Sequence, residues 1–140
     1  MQENVQNKDT AVDLFFGVRS VKLDGQERIQ IPIEYRSGLS DNLLVSHVFN
    51  NVSFKIFPGN YFKENNIPEP LCACVNKLHP DKEGRISLRS LFEEISGYSK
   101  GAFKELTLVG CGSYMELWTP EAWAEESQKR LKKLMELIAA

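Results

Sequence analysis

The sequence predicts an α+β fold, mainly β, assembled from two tandem pseudo-symmetric repeats with helices at the periphery. Three observations carry that expectation. The stretch 21–31 returns 57 positions later as 78–88: Asp24 answers to Asp81, Arg28 to Arg85, and each Arg opens an aliphatic-polar-aliphatic triplet. A second block, 55–62, returns as 116–123 at an offset of 61, with Phe57 answering to Trp118. The third is a change of period, from short alternating runs to a long 3.6-residue pattern near the C-terminus. Two matches in the same order, with drift between them, are the mark of a duplicated unit. Halves this small cannot hide their apolar faces alone, so they share one core.

Each element follows from local signals. Residues 1–13 read as a polar lead-in, and apolar content begins at Leu14-Phe15-Phe16. Ile29 and Ile31 alternate with Gln30, and Ile86 and Leu88 with Ser87, as half-buried strands do. Asp24-Gly25 is a hairpin-turn dipeptide, and Gly84 supplies a position of positive φ in the other copy. Pro32 opens a short helix stopped by Gly38. Leu88, Leu91, Phe92 and Ile95 follow helical spacing before Gly97, and Ser90 with Glu93 has capping-box spacing. Leu43-Leu44-Val45 and Leu106-Thr107-Leu108-Val109 return as strands. Each copy therefore reads strand, turn, strand, short helix, strand, strand.

Between the copies, the segment 63–70 is polar and proline-punctuated, a linker. After Thr119 as N-cap and Pro120, a helix runs to about Ile138 with Leu131, Leu134, Met135 and Ile138 as its stripe. Glu125 with Lys129 and Glu126 with Arg130 are favourable i,i+4 pairs. Packing of that stripe on the core or on a neighbouring subunit is the expectation, with Trp118 and Trp123 as core or interface anchors. The chain divides into unit 1 at 14–64, a linker at 65–74, unit 2 at 75–124 and a C-terminal amphipathic helix at 125–140.

Composition narrows the function classes. Of 140 residues, 42% are hydrophobic, which suffices for a modest core. Seventeen Lys+Arg against nineteen Asp+Glu leave a net charge of -2, against a polycationic nucleic-acid coat but not against a local basic patch. No apolar run approaches the roughly 20 residues that span a bilayer, and the polar N-terminus is no secretory signal. Three cysteines, an odd number, point to a reduced, cytosolic protein. Cys72, Cys74, His79 and Cys111 include zinc-type donors, but C-x-C is not the usual knuckle spacing, so no metal is expected. His47 and His79, the two histidines, have no nucleophile or carboxylate in motif spacing. Gly110-Cys111-Gly112 lacks the rest of a phosphate fingerprint and reads as a tight turn. Neither catalysis nor a cofactor is expected.

The paired Asp-x-x-x-Arg motif carries the functional reading. In an unbroken strand its side chains would lie about 13 Å apart, too far for an ion pair. With a turn between them, Asp accepts backbone N–H groups while Arg projects from the outgoing strand. An Arg held so can clamp a phosphate or read a guanine edge; alternatively each pair merely pins its own hairpin. Together, Phe16-Gly17, the two Asp-Arg turns, Ile31-Pro32 and the block Leu108-Val109-Gly110 to Glu116-Leu117-Trp118-Thr119-Pro120-Glu121-Ala122-Trp123 resemble the MraZ family. These are bacterial transcriptional regulators built from two SpoVT/AbrB-like units, and the likeness spans about residues 14–125.

The resemblance implies a double swapped-hairpin AbrB-like β-barrel and a cytoplasmic, nucleoid-associated protein. It implies assembly into a homo-oligomeric ring that binds short direct repeats upstream of the division and cell-wall gene cluster, its own promoter included. It makes Arg28 and Arg85 the leading DNA contacts, with Asp24, Gly25, Asp81 and Gly84 shaping the turns. Arg19, Lys22 and Lys82 join them by proximity. Gln26-Glu27 stands where the family's first turn carries Lys-Gly, and that departure favours an alternative class: an AbrB-like oligomeric interaction or antitoxin-type module with weak or lost DNA binding.

Overall fold

Alternation of apolar and polar side chains sorts the chain into strands whose inner faces meet in one core. The computed structural model describes residues 15–36, 43–47, 53–59, 75–93 and 97–139. The first half contains β1 (Val18–Lys22), β2 (Arg28–Gln30), the one-turn helix α1 (Ile33–Arg36), β3 (Leu43–His47) and β4 (Ser53–Pro58). The second contains β5 (Val75–Leu78), β6 (Arg85–Ser87), α2 (Arg89–Phe92), β7 (Glu105–Gly110) and β8 (Met115–Trp118), followed by the long helix α3 (Pro120–Ala139). The element order is the same in both halves, as the repeat predicts. Gly38, Ile95 and the linker 65–74 lie outside the described residues.

Pairing runs across the halves. A six-stranded antiparallel sheet has the order β1-β7-β8-β4-β3-β5, and a two-stranded ribbon pairs β2 with β6. Exchanging the halves leaves that order unchanged, since β1 corresponds to β5, β7 to β3 and β8 to β4. Both repeated blocks meet at the pseudo-twofold: Ile29 lies opposite Ile86, and Lys55 opposite Glu116, each facing its own counterpart. Among the described residues the ladder ends at β1 on one side and β5 on the other, without the closure expected of a barrel.

The core fills from both halves. Ile29, Ile86, Leu88, Ile56, Leu108 and Leu117 are fully enclosed, and each such aliphatic contributes about 1.5–3 kcal/mol relative to an exposed one. Phe92 sits among Phe54, Tyr98 and Phe103, with ring centroids 4.9–6.1 Å apart. Two helix-end expectations have different outcomes. Thr119 caps α3, its hydroxyl accepting the Ala122 N–H at 3.3 Å. The capping box at Ser90 does not form: Leu88 is the N-cap residue and makes no side-chain cap, so Ser90 lies inside the turn.

Helix α3 is fastened at its start and bare at its end. Arg130 donates to Glu126 at 2.8 Å and to Glu116 at 2.9 Å, and its guanidinium lies over the rings of Trp118 and Trp123. Burial opposes the Arg130 charge, but its hydrogen bonds to Glu126 and Glu116 outweigh that and raise its pKa. Glu116 is buried on β8 and also accepts from the Trp118 indole at 3.0 Å. The tryptophans are thus half-buried anchors of one polar clasp. Beyond it, Leu131, Leu134, Met135 and Ile138 are 50–75% exposed, so the stripe does not pack on this chain's core. No helix among the described residues is long and apolar enough to cross a membrane.

Candidate nucleic-acid interface

The two Asp-Arg turns are built atom for atom alike. In the first, Asp24 Oδ1 accepts the backbone N–H of Gln26 at 2.8 Å and of Arg28 at 2.9 Å, while Arg28 Nε donates to Asp24 Oδ2 at 2.8 Å. In the second, Asp81 Oδ1 accepts from Glu83 and Arg85, both at 2.9 Å, and Arg85 Nε donates to Asp81 Oδ2 at 2.7 Å. The backbone repeats the pattern: Asp24 N–H to the Arg28 carbonyl and Asp81 N–H to the Arg85 carbonyl, each 3.0 Å. The halves are then tied crosswise, Ile31 N–H donating to the Gly84 carbonyl and Leu88 N–H to the Glu27 carbonyl.

This geometry places both arginines on one side of the ribbon. Arg28 lies opposite Ser87 and Arg85 opposite Gln30, while Ile29 and Ile86 between them turn into the core. Side chains two apart on a strand, and directly opposed across a pair, share a face. The arginines therefore stand outward together, about 7 Å apart along the ribbon at roughly 3.4 Å per residue. Their side chains are 27% and 36% exposed, partly sheltered yet reachable.

The left-handed position of the first turn differs from expectation. It is Glu27, at φ 60°, and not Gly25, that matches Gly84 at φ 77°. The offset of 57 already aligns Glu27 with Gly84, which is the signal that the hairpin dipeptide obscured. Glu27 is buried and ion-paired with Arg89, Nε to Oε1 at 3.3 Å, which holds a non-glycine residue in this uncommon conformation. At Gly84 a Cβ would stand 2.6 Å from Arg36 Nε, so a side chain there would have to displace the Arg36 end from its hydrogen bond to the Ile31 carbonyl.

The lesser candidates separate. Lys82 is exposed in the second turn, and Lys22 ends β1 two residues before Asp24, so both flank the turns. Arg19 does not join them. It pairs with Glu34 at 3.4 Å and covers the Tyr35 ring, tying β1 to α1. Cys72 and Cys74 lie outside the described residues, and no group of three His, Cys, Asp or Glu is placed to hold a metal among those described. Burial, and then the nearby Glu116 carboxylate, push the Cys111 thiol up, away from thiolate reactivity.

Both turn carboxylates are held below their usual range, chiefly by the backbone N–H of Arg28 for Asp24 and of Arg85 for Asp81. A depressed carboxylate stabilises the fold above its unfolded pKa, and that contribution is lost as pH falls through the folded value. Carboxyl NMR should thus show both aspartates titrating below ordinary aspartate. Asp24→Asn should flatten the acid limb of stability between the ordinary carboxylate range and the lowered midpoint.

The ribbon thus presents two matched guanidiniums, each paired with its own turn carboxylate. Comparison with known proteins finds relatives that share one name. Proteins named transcriptional regulator MraZ from Mycobacterium ulcerans, Mycolicibacterium smegmatis and Mycobacterium sp. strain KMS are 27%, 27% and 28% identical over 130 residues, 82% of this chain and 87% of each relative. The chain is similar to these MraZ proteins over most of its length. No protein-family model matches it. The MraZ relatives carry a regulator's name and not an enzyme's, in line with a sequence that offers no catalytic constellation. The MraZ resemblance in the sequence, from Phe16-Gly17 to the block ending at Trp123, spans about residues 14–125.

Proposed function

We propose that this chain is a sequence-specific, DNA-binding transcriptional regulator of the MraZ type. In this reading it acts in the cytoplasm, associated with the nucleoid, on short direct repeats upstream of the division and cell-wall gene cluster, and represses its own promoter. The observation that carries the reading is the outward placement of Arg28 and Arg85 on one ribbon face. A two-stranded ribbon fits a major groove, and a separation of about 7 Å matches two base steps at roughly 3.4 Å each. Arg28, Arg85, Lys22 and Lys82 are its contacts, with Asp24, Asp81 and Gly84 holding the turns; Arg19, held by Glu34 and Tyr35, is left out of the contact set. The interlocked pairing supports a double swapped-hairpin AbrB-like architecture, with units at 14–64 and 75–124 joined by 65–74 and followed by the helix at 125–140.

Binding of the purified protein to DNA upstream of its own gene across a salt series tests the function. Retardation that weakens steeply with salt is expected; no retardation at low salt from oligomeric protein refutes it. The carboxylates paired to both arginines favour a second reading, an AbrB-like or antitoxin-type oligomer without DNA binding, which that refuting result would leave standing.

Ring assembly supplies the avidity that a mildly acidic subunit needs. The large exposed hydrophobics of the described residues fall into two groups: Phe16, Val18 and Ile33 beside β1, and five residues at the end of α3. Two separate apolar faces on one chain suit head-to-tail contact between copies, which closes into a ring where the rotation allows. The native protein is expected to elute as a defined oligomer, and Leu134→Glu with Met135→Glu to release smaller species. Because both side chains are exposed, the pair should shift subunit stability by no more than about 0.5 kcal/mol each. A native monomer by light scattering would rule the ring out.

A further inference from the structure

The two turns that the pseudo-twofold makes equivalent differ at one charged contact. Arg85 donates twice to its own turn: through Nε to Asp81 at 2.7 Å, and through a terminal nitrogen to Glu83 Oε2 at 2.7 Å. Among the described residues Arg28 is ion-paired with Asp24 alone. The counterpart of Glu83 at the offset of 57 is Gln26, which has no charge. The molecule thus contains its own control, the same aspartate clamp with and without a second carboxylate on the outward end of the guanidinium. Glu83 is 58% exposed, and its carboxylate occupies a terminal nitrogen of the Arg85 guanidinium that a phosphate would otherwise take.

We infer that Glu83 competes with DNA for Arg85 and makes Arg28 the stronger of two otherwise matched contacts. The inference rests on the DNA-binding reading and deepens it, since a protein with near-perfect internal symmetry then addresses its two half-contacts unequally. The physical reason is direct. An Arg nitrogen already bonded to a carboxylate must give up that bond to take a phosphate oxygen, and the displaced carboxylate repels the same phosphate. Arg28, with Gln26 in place of Glu83, has no second carboxylate in its own turn to displace, so its terminal nitrogens meet the backbone at lower cost.

The test uses the full-length protein and a labelled mixed-sequence duplex of about 30 base pairs in about 50 mM salt, read by anisotropy. Glu83→Gln is expected to tighten binding about five-fold, and Gln26→Glu, which installs the competitor on the first turn, to weaken it by about the same factor. Arg28→Ala should cost about ten-fold and Arg85→Ala about two-fold; in the Glu83→Gln background the two costs should become equal. An unchanged affinity for Glu83→Gln, or equal costs in the native background, overturns the inference.

A second measurement keeps the failure of the inference apart from the failure of DNA binding. Inorganic phosphate is titrated against the arginine Nε–H resonances by NMR. The Arg28 signal should move at lower phosphate concentration than that of Arg85, and Glu83→Gln should bring the two together. Equal movement in the native protein overturns the unequal pair even where DNA binds. Unequal movement with no binding to any duplex upholds the competition at Arg85 and refutes the DNA reading.

Discussion

Gly110→Ala is expected to cost about 3 kcal/mol or more, lowering the thermal midpoint by roughly 10 °C in a chain of this size. Gly110 ends β7 where the entry to β1 runs antiparallel beside it in close approach. A Cβ there would stand 2.5 Å from the Phe15 carbonyl carbon, 2.5 Å from the Phe16 nitrogen and 2.6 Å from the Phe15 oxygen. All three are backbone atoms, so no rotamer change relieves the clash. The approach is fixed from both sides by Gly110 N–H to the Gly17 carbonyl at 2.8 Å and Gly112 N–H to the Phe15 carbonyl at 2.8 Å. Moving Phe15 away would also disturb its buried ring against Tyr35, whose hydroxyl donates to the Phe16 carbonyl. Urea unfolding followed by circular dichroism measures the effect. Gly25→Ala is the control, because nothing lies within 4 Å of its Cβ position and its φ is not positive. Equal midpoints for Gly110→Ala and the native protein would mean that the two segments do not approach so closely.

Glycine at 110 illustrates which parts of the fold can be read in one dimension. Residue type there signals a turn, and a turn does follow it; the reason a side chain is excluded is a segment more than 90 residues earlier in the chain. Features whose partners are near in sequence were legible. Asp24 and Asp81 bond to groups two and four residues on, and the Asp-x-x-x-Arg spacing reports that bond directly. Thr119 capping α3 and the Glu126–Arg130 pair are local in the same way. Contacts that close over long separations left no such pattern. Glu116 is a charged residue in a strand, yet it is buried beneath Arg130, fourteen residues later, which bonds it. Arg19 is basic and close in sequence to the first turn, but Glu34 and Tyr35 claim it for α1.

The pseudo-twofold marks the boundary between these cases. Duplication is visible as matched spacing, and it leads to the correspondence of Ile29 with Ile86 once the halves are known to interlock. Which strands pair is set by where two apolar faces fit, a property of both halves at once. The α3 stripe shows the same limit from the other side, since amphipathic periodicity establishes that an apolar face exists without naming what it covers. Here the core is filled by other residues, and the face is left outward.

Replacing both ribbon arginines is expected to have the largest effect on function: Arg28→Ala with Arg85→Ala should weaken binding to the upstream DNA about 20-fold at low salt and reduce the salt slope by about two. The slope is the more telling quantity. Each phosphate contact releases roughly one counterion, so losing two cationic contacts changes the exponent, whereas partial unfolding lowers the active fraction and leaves the exponent alone. Stability is the necessary companion measurement, since each arginine also bonds its turn aspartate. Those pairs are solvent-exposed, and Asp24 and Asp81 retain their backbone N–H donors after the substitution, so the thermal midpoint should fall only slightly. A double variant that folds normally and binds with the native affinity and slope would remove these two residues from the interface. One that binds with reduced affinity but an unchanged slope would assign them to holding the ribbon, with the phosphate contacts made elsewhere.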